Sequence, residues 1–127
     1  MKTDLNEKRK FNRVPFSYSD NITGTFIRHG SKEKFTALIL HFSMQGVYFT
    51  LSKNADIHLN KSDTLAFLEI KGLKTQDFII NIELEIARLL DHSELDYFGY
   101  GCAFSYLPES SLHQIRRFIE FWFLESR

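Results

Sequence analysis

Residues 80–87 alternate without a break: Ile80, Ile82, Leu84 and Ile86 interleave with Asn81, Glu83, Glu85 and Ala87. A period of two sends successive side chains to opposite faces, so this segment reads as an extended strand with one apolar and one wet face. Residues 97–104 repeat the pattern, with Phe98, Tyr100, Cys102 and Phe104 on a single face. Gly99 and Gly101 lie between them, as expected where a strand bends tightly or another backbone comes close.

The rest of the chain is punctuated to match. Residues 22–29 and 35–42 read as strands joined by the turn-type cluster His29-Gly30-Ser31-Lys32. Residues 46–51 form a third strand, 52–63 a polar loop, and 64–70 a fourth strand closed by Lys71-Gly72. Val14-Pro15-Phe16 begins the ordered structure, and Pro15 excludes a central strand position there. Six antiparallel strands with one wet face fit a small closed or nearly closed barrel, because closure removes exposed edges.

The period then changes. Pro108 suits a first helical position and Glu109 a helix N-terminus. Leu112, Ile115, Ile119 and Trp122 recur at three- and four-residue spacing, the stripe of a helix facing a core. The expected fold is all-β with a C-terminal helix lying across a barrel mouth. Residues 118–124 are apolar nearly all round, which leaves aromatics beyond that stripe. Phe118, Phe121, Trp122 and Phe123 are therefore expected to meet a downstream protein or a second copy of the chain.

At 127 residues the chain suits one domain, and its aromatic share of 15% fits a strand-rich core. The expected division is a flexible basic arm over residues 1–13 and a single domain of barrel plus helix over 14–127. The formal net charge is zero, so bulk electrostatics give no reason to expect a long nucleic acid. Locally the charge is uneven: Lys2, Lys8, Arg9, Lys10 and Arg13 face only Asp4 and Glu7 in the first fourteen residues. A compact anion can use that excess. A lone cysteine, Cys102, excludes an intrachain disulfide and fits a reducing compartment. With no apolar secretory region and no run long enough to span a membrane, a cytoplasmic location is expected.

Two short clusters carry most of the functional information. Arg9-Lys10-Phe11-Asn12-Arg13 places two arginines as RxxxR, and His41-Phe42-Ser43-Met44-Gln45-Gly46 follows about thirty residues later between two strands. Together they resemble the paired signature of the PilZ domain, RxxxR followed by [D/N]xSxxG. The resemblance implies a six-stranded antiparallel bacterial β-barrel that binds cyclic di-GMP, with Arg9, Arg13, Ser43 and Gly46 at matching positions. His41 stands where the family usually has Asp or Asn. Lys8 and Lys10 are additional candidates.

The chemistry agrees. Four extended residues cover about 13 Å, so Arg9 and Arg13 can grip different parts of one ligand. A guanidinium forks onto guanine O6 and N7 or onto a phosphate, which a lysine cannot imitate. Ser43 offers a hydroxyl, and Gly46 allows a sharp turn and a close ligand approach. An aspartate accepts from the guanine N1 and N2 hydrogens, whereas His41 offers a donor and an acceptor, or donors alone. The implied mechanism is an arm that orders over the nucleotide and changes a protein-interaction surface.

Blander readings remain beside this one. The arginines can be a solvated tail, His41 a structural strand-end histidine, and Gly46 a turn glycine. A degenerate PilZ domain, blind to nucleotide and acting through protein contacts, is the alternative, and a small oligonucleotide-binding barrel is a third. No nucleophile elbow, P-loop or HExxH pair points to an enzyme. The five histidines lack ligand spacing, so neither metal nor cofactor is expected.

Overall fold

A computed structural model describes the backbone of residues 13–72 and 78–125, and the side chains of 14–72 and 78–123. The elements are β1 (Arg13–Pro15), a 3-10 turn (Tyr18–Asp20), β2 (Thr23–Arg28), β3 (Lys34–Ser43), β4 (Gly46–Ser52), β5 (Thr64–Lys71), β6 (Phe78–Asp91), β7 (Tyr97–Tyr106) and α1 (Glu109–Glu125). Strands β2, β3, β4, β7, β6 and β5 pair in that order and β5 returns to β2, closing a six-stranded antiparallel barrel. β1 is an additional strand on the C-terminal end of β3, pairing Arg13 with Ser43, Val14 with Phe42 and Pro15 with His41. Pro15 is tolerated there because β1 pairs on one side only. Residues 1–12 of the expected arm lie outside the described residues.

The alternation in β6 is realised as read: Phe78, Ile80, Ile82, Leu84 and Ile86 are buried, while the residues between them are exposed. The strand nevertheless runs on to Asp91. The register against β7 shifts between Ile86 and Arg88, leaving Ala87 as an extra residue, and pairing then resumes from Arg88–Gly101 to Asp91–Phe98. Such a bulge breaks the period of two, which is why the continuation is not legible as a strand.

Inside the barrel, Phe26 stacks on Phe67 at 4.7 Å between centroids and also meets Phe49 and Phe35. Phe42 continues this aromatic column towards α1. The helix covers that mouth with Phe118, which lies 5.2 Å from Phe42, 5.3 Å from Phe78 and 6.0 Å from Phe16.

Three expectations for the helix need correction. Phe118 is completely buried and belongs to the core, so it is not part of a docking surface. Phe121, Trp122 and Phe123 are half-buried against the same core, and Phe16 meets Trp122 edge-on at 4.7 Å. The chain itself supplies much of the cover that these rings need. The inward stripe, meanwhile, starts with Ser111 and not Leu112. The Ser111 hydroxyl donates to the Asn81 carbonyl at 3.1 Å, pinning the first helical turn to β6 by a hydrogen bond. The Leu112 amide donates to the Pro108 carbonyl, so Pro108 caps the helix one residue before its first helical position. Among the described residues no helix is long and apolar enough to cross a membrane.

Candidate functional site

The outer face of β3, β4, β7 and β6 carries an open groove of about 670 Å³. Its floor is Gly46 on β4, Gly101 and Ala103 on β7, and Ala87 on β6, none with a side chain larger than methyl. His41, Ser43, Tyr48 and Arg88 stand round it. The groove exists because small residues coincide across three paired strands: Gly46 lies opposite Ala103, and Gly101 opposite both Tyr48 and Arg88.

Four of the residues singled out from sequence converge here. The backbone of Arg13 pairs with Ser43, and Pro15 pairs with His41. His41 is exposed, with its ring 6.0 Å from that of Tyr48 in an edge-on arrangement. Ser43 and Gly46 bound the β3–β4 turn. Lys8, Arg9 and Lys10 lie outside the described residues.

The Ser43-to-Gly46 spacing has a local explanation. The Ser43 hydroxyl oxygen accepts from the amides of Gln45 at 3.1 Å and Gly46 at 3.2 Å, and its proton is donated to the Gly46 carbonyl at 3.4 Å. A hydroxyl has one donor and two acceptor sites, so all three are occupied within the turn. The donation is the longest of the three, and therefore the one a ligand oxygen can displace most readily. Gly46 is also constrained from below. A Cβ there would overlap the carbonyl oxygen of Cys102, with the carbonyl carbon 3.1 Å away. The close approach that demands glycine is thus that of β7.

At Gly99 and Gly101 a neighbouring side chain, and not a backbone, comes close. A Cβ on Gly99 would meet the Tyr48 hydroxyl, and one on Gly101 would lie 3.4 Å from Arg88 Nε. Neither residue has positive φ. Burial pushes the Tyr48 phenol above its ordinary value; Tyr97 adds to this and Arg88 opposes it. Burial likewise pushes the Cys102 thiol up to about 12, so it stays protonated and inert. Asp91 is held by Lys53 at 3.1 Å, and the same ammonium donates to the His92 carbonyl. Among the described residues no cluster of His, Cys, Asp and Glu is placed to hold a metal.

Tyr48 and Arg88 escaped the sequence reading for different reasons. Val47, Phe49 and Leu51 are inward on β4, which makes Tyr48 an outward aromatic, and that signal was available. Arg88 follows the Ala87 bulge, which no period reveals.

The family model for the PilZ domain matches residues 7–121. The chain belongs to the PilZ domain family. No curated protein sequence matches it. Among solved structures, the PilZ domain of YcgR from Escherichia coli, with c-di-GMP, has a TM-score of 0.67 at 12% identity, covering 91% of each chain. The MrkH–c-di-GMP complex of K. pneumonia gives 0.65 at 15% identity, over 90% of this chain and 51% of that one. The inhibitor of motility MotI from Bacillus subtilis gives 0.62 at 13%, over 91% and 51%. This PilZ domain thus spans about half the length of MrkH and MotI, and at such identities the likeness is one of fold.

Proposed function

We propose that this PilZ domain is a cyclic di-GMP receptor whose N-terminal arm closes over nucleotide lying in the outer groove. The observation that carries this reading is the register of β1, which sets the last residue of RxxxR beside Ser43 and Pro15 beside His41 at one end of a side-chain-poor floor. Fold neighbours named as c-di-GMP complexes support the choice of ligand. Arg9 and Arg13 grip base edges and phosphates, and charge-assisted contacts offset the entropy of ordering the arm.

Closure is transmitted through β1. Phe16, three residues after Arg13, meets Phe118 and Trp122 of α1, so a shift of β1 alters how the half-buried aromatic end of the helix is presented to a downstream protein or second copy. No catalytic step is involved.

Titration calorimetry with cyclic di-GMP, against linear dinucleotide and cyclic AMP, tests the reading directly. Arg9→Ala and Arg13→Ala are each expected to weaken binding about tenfold or more with unfolding unchanged. Wild-type affinity in both variants would end the claim. His41→Asp is expected to tighten binding by about tenfold, because a carboxylate accepts from both guanine N1 and N2 hydrogens. A weaker variant would mean that His41 makes its own contact.

The occupied Ser43 hydroxyl and the exposed imidazole at position 41 also favour a second reading, a PilZ fold that no longer takes nucleotide. No heat at millimolar ligand would establish it.

A further inference from the structure

Arg88 is the only lysine or arginine among the described residues lining the groove. Simple alternation from the buried Leu84 and Ile86 would send residue 88 into the barrel core. The Ala87 bulge prevents this, turning both Ala87 and Arg88 outward and setting Arg88 opposite Gly101. The Arg88 side chain then lies over that glycine, with Nε and Nη2 3.4 and 3.6 Å from where a Cβ would be. Among the described residues it has no ion pair. A backbone irregularity, a missing side chain and an unpaired guanidinium therefore coincide on one wall of the groove.

The opposite wall is His41 and Ser43 on β3. From β3 through β4 and β7 to β6 is three strand spacings, roughly 14 Å. A single nucleobase does not bridge that distance, whereas a ligand with two bases on one ring does. We infer that Arg88 takes the O6 and N7 edge of the base lying on the β6 side, fixing the half of the dinucleotide most remote from β1. This rests on the groove being a cyclic di-GMP site and adds to it a guanine-reading residue outside the two sequence motifs. Guanine suits this fork because both Hoogsteen-edge atoms are acceptors, whereas adenine places an amino donor against it.

The test is calorimetry with cyclic di-GMP on wild type, Arg88→Ala, Arg88→Lys and the remote exposed control Lys32→Ala, with thermal unfolding of each. Arg88→Ala is expected to bind about ten- to a hundredfold more weakly at an unchanged midpoint, Arg88→Lys to remain weak because an ammonium lacks the fork, and Lys32→Ala to match wild type. Wild-type binding with Arg88→Ala within twofold of it would overturn the inference while leaving the receptor reading intact. Full rescue by lysine, or an equal loss in Lys32→Ala, would overturn it in favour of charge alone. No binding by wild type would remove both readings together.

Discussion

Phe118→Ala is expected to lower the unfolding free energy by about 3–5 kcal/mol. The ring is completely buried where three parts of the chain meet: Phe42 from β3, Phe78 from β6 and Phe16 just after β1. Deleting it removes the transfer energy of a buried aromatic and leaves a cavity walled by rigid rings, which cannot collapse to fill it. Phe121→Ala is the comparison, because that residue is half-buried and its ring meets that of Phe78 at a tilt, 5.7 Å between centroids. Its cost is expected to be about 1 kcal/mol. Denaturant unfolding checks both: the Phe118 variant should lose midpoint with an unchanged slope. Equal, mild effects would mean that α1 does not stopper the barrel and that Phe118 is available to a partner.

That pair of residues also shows where sequence legibility ends. Period-two alternation survives in β6 because one face is packed and the other wet, so each position is chosen by its surroundings. It survives even at Asn81, whose φ of 51° accompanies a register shift against β5. In residues 118–124 nearly every position is apolar, so the 3.6-residue period has no polar face against which to be seen, and Phe118 cannot be told from Phe121. Ser111 was hidden for the opposite reason: a polar residue faces inward because one strand carbonyl, that of Asn81, receives its hydroxyl. β1 is only three residues long, too short to show any period, and its pairing with β3 is a tertiary fact. The candidate site was legible as motif chemistry at Arg9, Arg13, His41, Ser43 and Gly46. Its floor was not, because Ala87, Gly101 and Ala103 come together only through strand register and a bulge.

Gly46→Ala is expected to destabilise the fold by about 3 kcal/mol or more, at or beyond the upper end of ordinary overpacking, and to weaken nucleotide binding as well. The obstruction is the Cys102 carbonyl, a backbone group held in the β4–β7 ladder, so no side chain can swing aside to relieve it. Relief requires β4 and β7 to part at their pairing of Gly46 with Ala103, beside the hydrogen bond from the Phe104 amide to the Gln45 carbonyl at 2.9 Å. The Ser43 hydroxyl, bonded to Gly46 on both its amide and carbonyl sides, shifts with it. Gly30→Ala separates the two ways a glycine can be needed. Gly30 has φ of +81° but nothing within 4 Å of its would-be Cβ, so Gly30→Ala should lose only about 1–2 kcal/mol of stability, through added backbone strain. Thermal melts followed by calorimetry on both variants decide the matter. A Gly46→Ala protein as stable as wild type but unable to bind would place the requirement on ligand approach; one less stable than Gly30→Ala places it on the closeness of two strands, with the groove floor a consequence of that packing.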